Sequence, residues 1–220
     1  MKNKMVSFLA VLIFYSFTTA AQVQVSKEPL HKKVLENKYI RLLDVRIPQG
    51  DTTQFHIHST PSLFLEFTNT TVGIQVKGQE LVKSQNIAGS ASYRSFSPDI
   101  LVHRVTNWDT VPFHVTDIEI LSAYNTNRQY KFLPFTLLFE NEKAAAYRLT
   151  DSSFNKQIIS GRGPVVAELV EGSEILFHDT KKKKSTSIKT GEYLYIKPGR
   201  SFYFSTKENE KIKLVIFEIK

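Results

Sequence analysis

Residues 50–58 read GDTTQFHIH and residues 98–107 read PDILVHRVTN, which places His56, His58 and His103 at spacings typical of a metal site. Alternate residues of a strand share a face, so the rings of His56 and His58 stand roughly 6.6 Å apart at about 3.3 Å per residue. Both rings can then reach one ion at about 2.0–2.2 Å. If His103 comes from a partner strand, the site is half closed and keeps positions open for other ligands.

Around these stretches, the chain consists of short runs of aromatic and β-branched residues with almost no helical periodicity. The runs predict strands at 39–47, 62–67, 72–76, 101–106, 113–121, 144–149, 165–170, 174–178, 192–196, 201–205 and 211–219. Gly, Pro, Asn and Asp separate them. Many short strands at such spacing indicate an all-β protein, an antiparallel sandwich or barrel.

The two halves of the chain repeat each other. Residues 35–38, LENK, are echoed by residues 139–142, FENE, and residues 117–120, DIEI, are echoed by residues 216–219, IFEI. An internal repeat of this length predicts two similar β units. The seam is expected in the polar stretch at 125–130.

The first residues have the pattern of a secretory signal peptide. Lys2 and Lys4 precede an apolar run at 5–17, and small residues follow at 18–21. The run is too short to cross about 30 Å of hydrocarbon comfortably, so we expect cleavage near residue 21 rather than a stable membrane anchor. A periplasmic or secreted protein follows from this. The expected organisation is a signal peptide at 1–21, a first barrel at 22–125 and a second barrel at 126–220.

The amino-acid composition excludes some kinds of cross-link and metal ligand, and its charge bears on the expected partners. The chain has no cysteine, so disulfides and thiolate metal ligands are excluded. The formal net charge is +8, to which the lysine run at 181–184 contributes. This run lies between two predicted strands and is interpreted as a solvated hairpin tip. No nucleic-acid-binding motif accompanies the charge, so no nucleic-acid partner is expected.

The chain resembles the cupin superfamily, in its two-barrel bicupin form. The first cupin motif has a glycine, five residues, then His-x-His and a later glutamate; the second has a proline, a histidine five residues on and an asparagine four further. The matching residues are Gly50, His56 and His58 in the first motif and Pro98, His103 and Asn107 in the second. The resemblance implies two tandem jelly-roll (double-stranded β-helix) barrels whose interior holds a divalent metal or a small ligand.

The chain departs from the cupin pattern in two places. The motif glutamate should fall near Ser62 or Leu63, and neither side chain can replace a carboxylate. Glu66 is displaced along the strand, and it is interpreted either as a cavity residue or as a rim residue. Ile100 stands where the second motif usually has glycine, which is interpreted as a turn adjustment.

The resemblance implies a divalent transition metal held by His56, His58 and His103, with zinc, iron, manganese and nickel as the candidates. Imidazole ligands suit such metals. Gln54 precedes His56 by two residues and shares its predicted face. It is interpreted either as a partner or weak ligand of the site or as an ordinary polar residue at the barrel mouth.

The second half does not repeat the histidines. The repeat places Ser160, Arg162 and Tyr203 at the positions of His56, His58 and His103. This barrel is predicted to be packed and structural, with an anion site at Arg162 as the alternative. The remaining histidines, His31, His114 and His178, have no supporting spacing and are predicted to be surface or edge residues.

The leading functional hypothesis is an exported, metal-binding bicupin that acts on a small organic molecule as a metal-dependent enzyme of the dioxygenase, isomerase or lyase type. The competing hypothesis is a non-catalytic cupin that binds a small ligand or has a structural role, which the missing glutamate favours. A homodimer is a further possibility. Fold alone does not decide between these functions, and no catalytic residue can be named from the sequence.

Overall fold

A computed structural model of the chain describes residues 22–124 and 131–220. The first ten strands are β1 (Val23–Gln24), β2 (His31–Glu36), β3 (Ile40–Ile47), β4 (His56–His58), β5 (Ser62–Glu66), β6 (Thr70–Val76), β7 (Leu81–Asn86), β8 (Ala91–Arg94), β9 (Leu101–Asn107) and β10 (Phe113–Ile120). The other eight are β11 (Thr136–Glu140), β12 (Ala144–Leu149), β13 (Val165–Glu171), β14 (Glu174–Asp179), β15 (Lys184–Lys189), β16 (Tyr193–Ile196), β17 (Phe202–Ser205) and β18 (Lys213–Ile219). Helical structure in the described residues is limited to two 3₁₀ turns, Val25–Lys27 and Ser152–Phe154.

The strands form four sheets. The site sheet has the order β1-β4-β9-β6-β7, and the first junction sheet has the order β2-β3-β10-β5-β8. The second junction sheet has the order β11-β12-β18-β13-β16, and the distal sheet has the order β15-β14-β17. All pairs are antiparallel except β1 with β4. The all-β prediction is confirmed.

The internal repeat is visible in the strand order. The two junction sheets have the same order, with β2, β3, β10, β5 and β8 corresponding to β11, β12, β18, β13 and β16. The distal sheet repeats the β9-β6-β7 part of the site sheet. In place of β4, the second half has only an isolated bridge between Ile159 and Phe202.

All predicted strands are present, with ends that differ by at most two residues from the predicted ones. The strands outside the predicted runs, apart from His56–His58 itself, are β1, β2, β7, β8, β11 and β15, and each lies at the edge of its sheet. Edge strands face solvent along one side and carry polar and lysine-rich sequences. Their residues therefore lack the apolar pattern by which strands are predicted.

The two junction sheets pack against each other back to back. Their contact is an apolar cluster to which β3, β5 and β10 contribute Leu42, Leu65 and Ile118, and β13 and β18 contribute Val166 and Phe217, all fully buried. Each residue of such a cluster stabilises the fold by roughly 1.5–3 kcal/mol through burial. The cluster joins the two halves by an apolar core rather than by a polar surface.

A polar cluster adjoins this apolar contact. His114 of β10 is buried, stacks on Phe67 and lies with Nε2 2.8 Å from Oδ1 of Asp44. Glu168 of β13 is fully buried, and both of its carboxyl oxygens lack a hydrogen-bond partner among the described residues. The prediction that His114 is a surface or edge residue is therefore wrong, because the second half covers the face on which it lies.

Two sequence predictions fall outside the described residues. These are the signal peptide at 1–21 and the domain boundary at 125 and 126. Within the described ranges, no helix has the length and apolar character needed to span a membrane.

Candidate metal centre

Strands β4 and β9 bring the three histidines of the sequence motifs together. The two strands pair in antiparallel register, with His56 opposite His103 and His58 opposite Leu101. His56 and His58 are buried and His103 is half-buried. Their side chains line one cavity between the site sheet and the first junction sheet.

The other motif residues hold the loop before β4 in place. Gly50 has a φ of 78°, a left-handed conformation that favours glycine, and its N–H donates to the carbonyl of Asn107 at 2.9 Å. The side chain of Asn107 donates to the carbonyls of Ile47 at 3.0 Å and Val111 at 2.9 Å. Gly50 and Asn107 therefore act on the site by positioning the backbone that leads into β4.

The nitrogens of the three rings converge. Nε2 of His58 lies 3.1 Å from Nε2 of His103, and one nitrogen from each of the three rings lies within 4.8 Å of the others. Two nitrogens at about 2.1 Å from a common ion are about 3.0–3.4 Å apart at ordinary bond angles. The pair of His58 and His103 has this spacing.

Hydrogen bonding fixes which nitrogen of His56 is available. Its Nδ1 lies 2.8 Å from the carbonyl oxygen of Gln54, which can only accept, so Nδ1 carries the hydrogen. Its Nε2 is buried without a hydrogen-bond partner among the described residues. Because the neutral ring has a lone pair on that nitrogen, Nε2 of His56 has the character of a metal ligand.

The three rings are neutral over most of the accessible pH range. Burial, followed by the charges of the neighbouring histidines, lowers the pKa of His56 to about 4, that of His58 to about 2 and that of His103 to about 3. A metal ion binds only the neutral form of imidazole. The orphaned Nε2 of His56 and the facing nitrogens of His58 and His103 therefore fit a divalent transition metal.

The glutamate missing from the first motif is not replaced at its own position. Ser62 is buried and donates to the carbonyl of Thr60 at 3.1 Å, while Leu63 faces the apolar contact between the junction sheets. A carboxyl group instead comes from β10, where Oδ2 of Asp117 lies 3.5 Å from Nδ1 of His58. Burial, followed by the charge of Glu119, raises the pKa of Asp117 to about 8. Asp117 was not identified from the sequence, although it lies within the strand predicted at 113–121.

Glu66 and Gln54 are placed differently from each other. Glu66 lines the cavity, its Oε2 has no partner among the described residues, and burial raises its pKa to about 7. The cavity interpretation of Glu66 therefore holds rather than the rim interpretation. The side chain of Gln54 is exposed, so the residue contributes to the site through its backbone: its carbonyl accepts from Nδ1 of His56, and its N–H donates to Glu28.

His31 is a functional candidate that the sequence did not identify. It was predicted to lie at the surface or an edge, but it is buried, lines the cavity and has its ring centroid 4.6 Å from that of His56. Its Nδ1 lies 2.6 Å from Oε2 of Glu28. Burial would raise the pKa of Glu28, but the contact with His31 and the N–H groups of Gln54 and Leu30 outweigh it, so this pKa is lowered. No spacing signal relates His31 to the motif histidines, because β2 reaches the cavity only through tertiary packing.

The second half has an apolar interior at the corresponding place. Ile159 pairs with Phe202 as His56 pairs with His103, and both Ile159 and Phe202 are buried in its core. The sequence repeat had matched His103 to Tyr203, which is one residue off. Tyr203 is half-buried and stacks on His178, with ring centroids 4.3 Å apart.

Arg162 and Ser160 do not form an anion site in the second half. Arg162 forms an ion pair with Glu218, which is buried, and also donates to the carbonyl of Lys131. Ser160 is exposed. The alternative of an anion site at Arg162 is therefore not supported, because its guanidinium already has partners.

Comparisons with known proteins identify the architecture. No family model matches the sequence, and no curated protein matches it. Solved structures do resemble it. The structure of AerE from Microcystis aeruginosa has a TM-score of 0.61 at 12% identity and covers 88% of this chain and 98% of its own.

Two further solved structures are similar to this chain in fold. The cupin 2 conserved barrel domain protein from Leptotrichia buccalis has a TM-score of 0.54 at 11% identity, covering 86% of this chain and 87% of its own. The salicylate 1,2-dioxygenase from Pseudaminobacter salicylatoxidans has a TM-score of 0.55 at 11% identity, covering 82% of this chain and 71% of its own. At these identities the likeness establishes the fold alone. The chain therefore has the cupin fold, in the form of two tandem jelly-roll barrels.

Proposed function

We propose that the first barrel binds one divalent transition metal through Nε2 of His56, His58 and His103 and acts there on a small organic molecule. The observation that carries the proposal is the buried, unpartnered Nε2 of His56 beside the facing nitrogens of His58 and His103. Leaving such polar groups buried without a partner costs roughly 1–3 kcal/mol each, a cost that a bound cation removes.

A metal with three protein ligands keeps positions free, where it can polarise a substrate oxygen or activate water or dioxygen. The protein's own residues supply the rest. Gln54 fixes the tautomer of His56, and Asp117 lies on the Nδ1 side of His58. The largely apolar walls of the cavity limit the contact of a reacting molecule with water. The similarity to a salicylate 1,2-dioxygenase makes oxidative chemistry one candidate among several.

The proposal is tested by metal analysis of the purified protein. Elemental analysis by mass spectrometry should find about one ion of zinc, iron, manganese or nickel per chain. The double variant His56→Ala/His58→Ala should retain less than about a tenth of it, since two of three ligands are lost. His178→Ala is the matched control, because His178 is hydrogen-bonded to Ser185 and Ser205 in the second barrel, away from the cavity. Equal metal content in all three proteins would contradict the proposal.

A non-catalytic cupin that binds a small ligand is the second candidate. It is supported by the ligand set, since no carboxylate joins the three histidines among the described residues. Turnover separates the two candidates. Incubation of the metal-loaded protein with small aromatic and aliphatic acids, followed by product analysis and oxygen consumption, should show product absent from the double variant if the protein is an enzyme.

We further propose that the chain is exported and assembles as a homodimer. The basic, apolar and small-residue succession at 1–21 supports export to the periplasm or the exterior. Mass spectrometry of protein from its native cell should find a mature N-terminus near Ala21 or Gln22, and an intact Met1 in soluble protein would contradict export. Light scattering of the purified protein tests the homodimer.

A further inference from the structure

We propose that the ligand of the first barrel is a small organic monocarboxylate, whose carboxylate binds Arg94 at the mouth and whose apolar body lies between the two sheets. This inference rests on the proposed function, because it concerns the same cavity, and it names the chemical class of the molecule bound there.

Arg94 is an unused charge at the mouth of the cavity. It ends β8, lines the cavity, and has neither an ion pair nor a side-chain hydrogen bond within residues 22–124 and 131–220. It is exposed to solvent and lines the same cavity as His58 and His103. A guanidinium presents paired donors whose geometry matches a carboxylate.

The acidic residues of the cavity do not neutralise Arg94. Glu66 and Asp117 line the same cavity, yet neither is bonded to Arg94. Burial raises the pKa of Glu66 to about 7, so this group is largely uncharged at pH 6.5. The positive charge of Arg94 at the mouth is thus not paired with an acidic residue of the cavity, which favours an anion there.

The walls of the cavity fit an apolar body. Its volume is about 210 Å³, and most of its lining is aliphatic or aromatic. Apolar cavities of about 150 Å³ take up benzene, so a single ring or a short branched chain fits here. Phe96 is two residues from Arg94, stacks on His58 with centroids 4.9 Å apart and meets Phe64 edge to face at 6.2 Å. This aromatic corner stands beside the charge that would hold the carboxylate.

The inference is tested by calorimetric titration at pH 6.5 with three pairs of probes: benzoate and benzamide, phenylacetate and phenylacetamide, hexanoate and hexanamide. At least one acid should bind about tenfold or more tightly than its amide, because only the acid forms a charge-assisted pair. Arg94→Gln should abolish this preference, and Arg94→Lys, which keeps the charge without the fork, should retain part of it. Arg104→Gln is the matched control, because Arg104 pairs with Gln75 and the Phe55 ring outside the cavity.

The inference is overturned if no acid is preferred over its amide, or if the preference survives in Arg94→Gln. Metal analysis of the same samples separates it from the proposed function. If the protein holds no metal but shows an Arg94-dependent preference for an acid, the ligand class stands and the metal function fails. If metal is bound and no acid is preferred over its amide, the proposed ligand class is wrong and the proposed metal function stands. Thermal melts of the variants confirm that each is folded.

Discussion

Oδ2 of Asp117 lies 3.5 Å from Nδ1 of His58, on the opposite side of the ring from His103. The two residues are 59 positions apart in sequence and meet because β10 and β4 line opposite walls of the cavity. Neither group has another hydrogen-bond partner among the described residues. When His58 binds a cation through Nε2, the atom that faces His103, its Nδ1 carries a hydrogen that the carboxyl group of Asp117 is placed to accept.

Asp117→Ala should therefore weaken metal binding by about 10–100-fold, the usual effect of removing such a partner. Competition with a chromophoric chelator measures the affinity. Asp99→Ala, which alters an exposed carboxylate near the mouth, should leave it unchanged. An Asp117→Ala protein with unaltered affinity would show that the carboxyl group has no influence on His58.

Matching positions of the two barrels should respond in different ways to truncation. His103→Ala should abolish metal binding with a modest loss of stability, because the half-buried ring borders a cavity. Phe202→Ala should lower the free energy of unfolding by about 3–5 kcal/mol, because its ring fills a packed core. Denaturant unfolding and metal analysis of both variants check this. Loss of metal in Phe202→Ala while its stability is unchanged would reverse the assignment.

Glu168→Gln should remove a pH dependence from the stability of the protein. Burial, with a smaller contribution from the charge of Asp44, raises the pKa of Glu168 to about 8. A group whose pKa is raised on folding stabilises the protein at low pH, and that contribution is lost as the pH rises from about 4.5 to about 8. Each unit of the difference corresponds to about 1.4 kcal/mol.

The Glu168→Gln protein should accordingly become more stable than the parent as the pH rises through this range. Besides Asp44, the groups that interact with Glu168 are Thr116 and Tyr193. The pKa of Tyr193 is itself raised to about 12, mainly by burial. Urea unfolding at several pH values measures the difference. Glu171→Gln, exposed on the same strand, is the control and should show no such trend. Parallel stability curves for parent and Glu168→Gln would refute the prediction.

Gly163→Ala should destabilise the second barrel by about 1–3 kcal/mol, the usual cost of overpacking. A Cβ atom at this position would meet the carbonyl oxygen of Ile219 and the ring of Tyr124. The backbone oxygen cannot move aside as a flexible side chain can. Thermal unfolding measures the loss, with Ser160→Ala as an exposed control three residues earlier. Equal melting temperatures would show that the chain relaxes at no cost.

The sequence determined the central strands and the three histidines of the candidate metal site because both depend on short-range pattern. Apolar alternation in β3, β10 and β18 is local, and so is the spacing that puts His56 and His58 on one face. Polar edge strands such as β7 and β15 were not predictable in this way, since they carry no apolar pattern, whereas the apolar edge strands β16 and β17 were predicted.

Tertiary structure decided the rest of the site. Asp117, Glu66, His31 and Arg94 come from four strands of the first junction sheet that are distant in sequence. Only the pairing of these strands, and the packing of that sheet on the site sheet, brings them to the three histidines. Strand register determines which side chains fill the second barrel, because a shift of one residue turns Tyr203 outward and Phe202 inward. Because side chains alternate along a strand, a repeat aligned one residue off assigns every side chain to the wrong face. The sequence alone does not determine this register, whereas the pairing of Ile159 with Phe202 in the structure determines it.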